Sequence, residues 1–259
     1  MNVLGIIPAR LAASRFPNKP LAKLLNMPMI GHCYHRTCLA LGAERTYVAT
    51  CDDAIAEYVH SIGGKVVMTS IEHSRATTRT AEALEIIEKK TGNKSDVIVM
   101  VQGDEPLIPP QTIADTLLHF NDLSLDVVNV MSKLKTLDKF IDKNNVKVVV
   151  DRNSNALYFS REPIPSLWKG WEHIPRYMQT GIIAFRRNML LHFNSMPETE
   201  LEQIESVDMN RLLETGSKIR MVLTEAVTIG VDTPDELKEA EQLLQDDLFI
   251  SRYLEMHRQ

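Results

Sequence analysis

Three cations and a hydroxyl crowd one short loop: Arg10, Ser14, Arg15 and Lys19 lie within Pro8–Leu21, directly after the apolar run Val3–Ile7. Spacings of five and four residues between the cations let all three converge on one polyanion if the loop curls. Arginine offers a planar fork of donors and lysine a compact charge, a mixture suited to a nucleoside triphosphate or pyrophosphate. An ordinary solvated basic loop is the plain alternative.

Two carboxylates complement that loop. Asp104 follows the apolar run Val99–Val101 in Gln102-Gly103-Asp104-Glu105-Pro106, and a carboxylate at a strand end is placed to hold Mg²⁺ alongside substrate phosphates. Asp232, in Gly230-Val231-Asp232-Thr233-Pro234, is the second expected metal ligand. Asp-Thr-Pro is equally an ordinary helix start, as Asp104 is equally a turn residue.

Other chemistries lack their signatures. The chain has no Gly-x-x-x-x-Gly-Lys-Ser/Thr phosphate loop, no Gly-x-Gly-x-x-Gly fingerprint, no Gly-x-Ser-x-Gly elbow and no His-Glu-x-x-His pair. His32 and His35 share one expected helix with Cys33 and Cys38 and read as packing or surface residues, and Met27 and Met29 as core. Three cysteines without zinc spacing read as reduced, cytosolic thiols.

Strands must carry these loops. Val3–Ile7, Arg45–Thr50, Lys65–Thr69 and Asp96–Val101 read as strands, alternating with helices over Met29–Leu41, Asp52–Ile62 and Thr78–Lys90. That order predicts an α/β fold with a doubly wound, mostly parallel sheet, whose ligands sit outside the carboxyl ends of the strands. The loops Pro8–Pro20, Thr50–Asp53, Thr69–Arg79 and Gln102–Pro106 are then the site. From Val127 to Arg186 the segments turn β-rich, with strands expected at Val127–Met131, Val146–Asp151, Ala156–Ser160 and Gly181–Arg186. A last unit of Glu202–Glu214, Ile219–Leu223 and Pro234–Leu244 reads helix, strand, helix. No linker composition interrupts the 259 residues, so a single domain with a β-rich insertion at about 127–186 is expected.

Composition agrees. Hydrophobic residues make up 44% and charged residues 24%, as in globular chains, and the net charge of −5 argues against broad nucleic-acid binding. No signal-peptide pattern precedes the first strand, and no stretch approaches the roughly 20 apolar residues of a membrane span. A cytoplasmic protein is expected.

The run Ile7-Pro8-Ala9-Arg10 through Ser14-Arg15-Phe16-Pro17-Asn18-Lys19-Pro20-Leu21 resembles the 3-deoxy-manno-octulosonate cytidylyltransferases, the CMP-Kdo synthetases. So do Pro28-Met29-Ile30, Val48-Ala49-Thr50, Val101-Gln102-Gly103-Asp104-Glu105-Pro106, Val146-Lys147-Val148-Val149, Ala156-Leu157-Tyr158-Phe159-Ser160-Arg161 and Gly230-Val231-Asp232-Thr233-Pro234, collinear to about residue 240. The resemblance implies a Rossmann-like nucleotide-diphospho-sugar transferase fold, and transfer of CMP from CTP to a 3-deoxy-2-ulosonic acid. It implies Arg10, Ser14, Arg15 and Lys19 on the triphosphate, with Arg10, Lys19 and Asp104 catalytic, Mg²⁺ on Asp104 and Asp232, and Gln102 where nucleotide meets sugar. A homodimer formed through the β-rich segment that carries Trp168 and Trp171, and supply of the activated sugar to lipopolysaccharide assembly, are implied too.

Departures from the family pattern gather near the sugar. The Ser-Gly-Thr-Glu/Asp-Arg run becomes Arg75-Ala76-Thr77-Thr78-Arg79, so that Thr77 and Arg79 alone carry over as substrate-binding residues on the cytosine side. Met178-Gln179-Thr180-Gly181-Ile182-Ile183 stands for Arg-His-Leu-Gly-Ile-Tyr, and Val207-Asp208-Met209-Asn210-Arg211 for Leu-Glu-Gln-Leu-Arg. A polar contact replaced by Met or Ile strands a substrate group unless the substrate changed too. These departures suggest a modified Kdo such as the 8-amino-8-deoxy form, with Gln179, Glu205 or Asp208 near the altered group. Plain Kdo, a sialic-type nonulosonate, and a CTP-binding regulatory protein without catalysis are the alternatives.

Overall fold

The computed structural model describes residues 1–12, 16–172 and 174–254. Its elements run β1 (Val3–Pro8), β2 (Lys23–Leu24), β3 (Met27–Pro28), α1 (Met29–Leu41), β4 (Thr46–Thr50), α2 (Asp53–Ser61), β5 (Lys65–Met68), α3 (Ala76–Thr91), β6 (Val97–Val101) and α4 (Pro110–Leu118). Then follow β7 (Val127–Lys133), α5 (Leu137–Ile141), β8 (Lys147–Val150), β9 (Ala156–Ser160), β10 (Tyr177–Arg186), α6 (Arg187–Ser195), α7 (Glu200–Glu205), α8 (Met209–Glu214), β11 (Ile219–Thr224), α9 (Pro234–Gln245) and α10 (Ser251–Leu254).

The main sheet is ordered β11-β7-β10-β6-β1-β4-β5. Six of these strands run one way, and β10 alone is antiparallel to its neighbours β6 and β7. The expected doubly wound, mostly parallel α/β sheet is therefore present. β6 shows why its sequence makes a central strand: all five residues are at most 1% exposed, and they alternate between two cores. Ile98 and Met100 pack with Ala83, Leu84 and Ile87 of α3 and Leu190 and Phe193 of α6. Val97, Val99 and Val101 pack on the opposite face with Ile30 and Cys33 of α1, Ile55 and Val59 of α2 and Ile113 of α4. Each such side chain contributes roughly 1.5–3 kcal/mol on leaving water, so both faces hold β6 and the loop it delivers.

The β-rich stretch joins the same sheet rather than standing apart: β8 pairs with β10 and with β9. Several boundaries and short elements differ from expectation, among them β2, β3, α5, α6 and α10, none of which was expected from the sequence. β10 begins at Tyr177, four residues earlier than expected, and passes a register shift between Gln179 and Ile183. The helix expected over Glu202–Glu214 is two, α7 and α8, because Ser206 turns left-handed at φ 51° between them. α4 has no counterpart among the expected elements, although Pro110 stands in its first turn. His32 and His35 are buried, His32 bonded to the hydroxyl of Tyr253 and His35 stacked on its ring, and Met27 and Met29 are core. No helix among the described residues is long and apolar enough to cross a membrane.

Candidate active site

The topology reverses between β1 and β6: from β1 the chain crosses to β4 on one side and later to β6 on the other. The carboxyl ends at such a switch point open a crevice. Two clefts occupy it. The first, of about 430 Å³, is lined by the loop after β1, by 73–76 and Arg79 at the start of α3, and by Gln102–Asp104 after β6. The second, of about 230 Å³, lies toward β10 and is walled by Asn144–Val146, Arg161, Met178–Gly181 and Ser206–Asp208. Gln102, Asp104 and Asp232 line both.

At their junction Lys19 Nζ donates to Asp104 Oδ2 and Asp232 Oδ1, each at 2.8 Å. Three remote segments meet there. Asn18, left-handed at φ 59°, turns the first loop into a 3-10 turn over Lys19–Leu21, which aims the lysine inward. Asp104 leaves β6 in a turn whose carbonyl accepts from Val231 N at 2.9 Å, drawing Asp232 alongside. Thr233 and Glu236 form the capping box of α9. The helix-start reading is thus realised by Thr233, which leaves the Asp232 carboxylate for the junction. Burial alone would lower the Lys19 pKa, but the two carboxylates outweigh it and hold the ammonium protonated far above its ordinary range.

Glu105 sits directly behind. Its Oε1 accepts from Gly181 N at 2.8 Å, while Oε2 is buried with no hydrogen-bond partner among the described residues. Burial first, and the charge of Asp104 second, push this carboxyl up to about 8. Gly181 is required there: a Cβ would come within 2.8 Å of Gln102 Cβ and Glu105 Cγ.

The remaining expected residues divide. Arg10 lines the first cleft and donates to His73 O at 3.2 Å, and Arg79 lines it while donating to Thr69 Oγ1, Ser70 O and His73 O. Gln179 and Asp208 line the second cleft, with Gln179 Nε2 donating to Asn129 Oδ1. Ser14 and Arg15 lie outside the described residues. Thr77 and Glu205 line neither cleft, contrary to their expected direct contact with substrate. The Thr77 hydroxyl is fully buried and donates to Asp208 Oδ2 at 2.5 Å, and the Glu205 carboxylate is taken up by Arg161 N, Ser160 Oγ and Tyr158 OH. Both act from behind the wall.

Several residues had not been assigned a role from sequence. Asp52 Oδ2 accepts from Leu11 N at 2.8 Å and anchors the first loop; its place after β4 was the signal. Arg75, on the wall of the first cleft, donates to Ser206 Oγ on the wall of the second. Arg161 stood inside a family motif without an assigned role.

Comparison with known proteins places this arrangement. The cytidylyltransferase family profile matches residues 4–219. A 3-deoxy-manno-octulosonate cytidylyltransferase from Trichlorobacter lovleyi is 41% identical over 93% of this chain and 98% of its own length, and one from Thermodesulfovibrio yellowstonii is 40% identical over 94% and 98%. A solved CMP:2-keto-3-deoxy-manno-octonic acid synthetase, complexed with CTP, superposes with a TM-score of 0.84 and 34% identity over 96% of this chain and all of its own. A cytidylyltransferase from Leptospira borgpetersenii shares the fold, with a TM-score of 0.63 and 16% identity over 96% of this chain and 88% of its own. With a nucleotidyltransferase fold and relatives matched over nearly their whole length, the chain belongs to the 3-deoxy-manno-octulosonate cytidylyltransferase family.

Proposed function

We propose that the chain transfers CMP from CTP to a 3-deoxy-2-ulosonic acid of the Kdo type. The observation that carries this reading is the junction where Asp104 and Asp232, bridged by Lys19 from the first cleft, line two clefts of unequal kind. CTP takes the first cleft, its triphosphate against Arg10, Ser14, Arg15 and Lys19, and Arg79 shapes the cytosine side through the 69–73 loop. The sugar acid takes the second, with Gln102 at the meeting point. Its anomeric hydroxyl oxygen forms a bond to the α-phosphorus and gives up its proton, while the bond to the bridging oxygen breaks and pyrophosphate leaves.

Two anions must approach, so the protein's task is neutralisation and alignment. Asp104 and Asp232 fit Mg²⁺: they are two oxygen donors 2.8 Å from one cation, and Mg²⁺ takes one or two carboxylates and completes its shell with phosphates and water. When bound, the metal supplies charge stabilisation at the phosphates. Lys19, held protonated by both carboxylates, keeps its positive charge throughout.

The finer acceptor reading is 8-amino-8-deoxy Kdo. Among the described residues Asp208 lines the second cleft as an acid that belongs neither to the junction of Asp104 and Asp232 nor to the capping box of Glu236, and Gln179 lines the same cleft. An acid and an amide there suit an acceptor carrying an ammonium better than plain Kdo. In this reading the product supplies lipopolysaccharide assembly from the cytoplasm, and the exposed Trp168, Leu167 and Ile174 support the homodimer contact. Competing Kdo, its 8-amino form and a nonulosonate for CTP, with pyrophosphate release as readout, tests it. Preference for the amino sugar is expected. Preference for plain Kdo overturns the finer reading, preference for the nonulosonate overturns the sugar class, and CTP binding without pyrophosphate from any acceptor overturns the activity.

A further inference from the structure

Lys147, on β8, is completely buried and lines neither cleft. Its ammonium carries three hydrogens and meets three backbone carbonyls: Asp142 O at 2.9 Å, Asn145 O at 2.7 Å, and Arg161 O. Two of these belong to the turn that puts Asn144 and Asn145 on the wall of the second cleft, and the third belongs to Arg161, which lines it too. Loop carbonyls have no ladder to satisfy them, and a buried ammonium is tolerated only when every hydrogen is used; here each need meets the other.

Arg161 repeats the device one layer outward. Its Nε donates to Glu205 O, its Nη1 to Lys143 O and its Nη2 to Ser206 O. Glu205 closes the circuit by accepting from Arg161 N, Ser160 Oγ and Tyr158 OH. Three segments distant in sequence, 142–145, 160–161 and 205–206, are thus tied by charge-assisted bonds. Each contributes residues to the second cleft.

We propose that Lys147 is a positioning residue for the sugar-acid acceptor: it pins the 142–145 turn to the end of β9 and so sets the width and the donor pattern of the second cleft. This rests on the reading that the acceptor binds there. Burial pushes the ammonium down to about 8 against the carboxylates of Asp142, Glu162 and Glu205, which raise it, while the Arg161 charge adds to the lowering. Loss of the proton at alkaline pH removes one of three donors and slackens the turn.

The test uses the full chain with Lys147→Met and Lys147→Arg, reading KM for acceptor and for CTP from pyrophosphate release. Lys147→Met is expected to raise the acceptor KM roughly tenfold or more, because a small misplacement of positioning groups is costly, with the CTP KM nearly unchanged. In wild type the acceptor KM is expected to rise between about pH 7 and pH 9, and in Lys147→Arg, whose guanidinium stays protonated, that rise disappears. A folded Lys147→Met with unchanged acceptor KM, or with both KM values raised alike, overturns the proposal. Where Lys147→Met fails to fold, the pH profiles decide: a flat wild-type profile, or the same slope in Lys147→Arg, overturns it. Wild type that turns over no 3-deoxy-2-ulosonic acid overturns the acceptor reading and this proposal together.

Discussion

The two clefts share a floor but are built by different means. The first is made of loops that leave parallel strands at their carboxyl ends: each strand is pinned in the sheet, each loop is short, and the cations follow β1 within the same loop. The second is walled by the antiparallel start of β10, the turn before β8, the end of β9 and the elbow between α7 and α8. Short antiparallel pairing joins β8 to β10 and β9, but the turn and the elbow are tied in through side chains. Strand topology positions the first cleft, while buried ion pairs and charge-assisted bonds complete the second. Loss of one polar group should therefore abolish chemistry at the shared junction, but loosen structure behind the second wall.

The largest effect is expected behind that wall. Arg211 on α8 makes a bidentate pair with Glu202 of α7 at 2.6 and 2.7 Å, lies 4.1 Å above the Phe193 ring, and donates to Phe193 O and Met196 O. Both partners are nearly or fully buried. Removing one side of a buried pair costs about 3–5 kcal/mol. Arg75 Nε, 3.8 Å from Glu202, keeps the carboxylate from being wholly uncompensated and puts Arg211→Met toward the lower end. Chemical denaturation should show that loss. A stability equal to wild type would mean that α7 and α8 hold their elbow without the pair.

Asp104→Asn should have the opposite signature. The carboxylate is a quarter exposed, and Lys19 keeps Asp232 as partner, so the fold is spared. Turnover should fall by about 10²–10³-fold, the usual loss when one preorganised electrostatic group is removed. Pyrophosphate release near the wild-type rate would remove Asp104 from the metal role and make the junction a structural salt bridge.

Legibility from sequence follows the same division. β1, α1, β4 and β6 could be read because apolar period and turn residues lie within single strand-loop units. The cationic loop and Asp104 could be placed at one crevice because both follow parallel strands. The direct bonds from Lys19 to Asp104 and Asp232 could not be read, since they join segments remote in sequence. The break at Ser206 could not, since the apolar spacing of Glu202–Glu214 continues across it and only the packed context shows the left-handed turn. α4 was concealed by the Pro109-Pro110 pair, which reads as loop although Pro110 is a helix-starting residue. Thr77 and Glu205 were placed correctly near the site but on its wrong side. Whether a side chain lines a cleft or braces its wall depends on partners 131 and 44 residues away, Asp208 and Arg161. The antiparallel course of β10 carried no local signal either.

The smallest expected effect concerns acid. Glu205 is half-buried, and desolvation would raise its pKa, but the hydrogen bonds from Arg161 N, Ser160 Oγ and Tyr158 OH together with the Arg161 charge hold it below the ordinary glutamate value. A depressed carboxylate contributes stability that is present above its unfolded pKa and is lost as pH falls through the folded one. Solvent screening keeps the contribution below about 1 kcal/mol. Glu205→Gln should therefore be slightly less stable than wild type at pH 7, and the gap should close in acid below the ordinary glutamate range. Other carboxylates titrate in both proteins, so the difference between their melting curves isolates this group. Because Glu205 braces Arg161, the acceptor KM of wild type should rise over the same acid range while the CTP KM lags behind. A gap in stability that persists unchanged in acid would show that the carboxylate's charge plays no part in bracing the second cleft, leaving Lys147 and Arg161 to hold it alone.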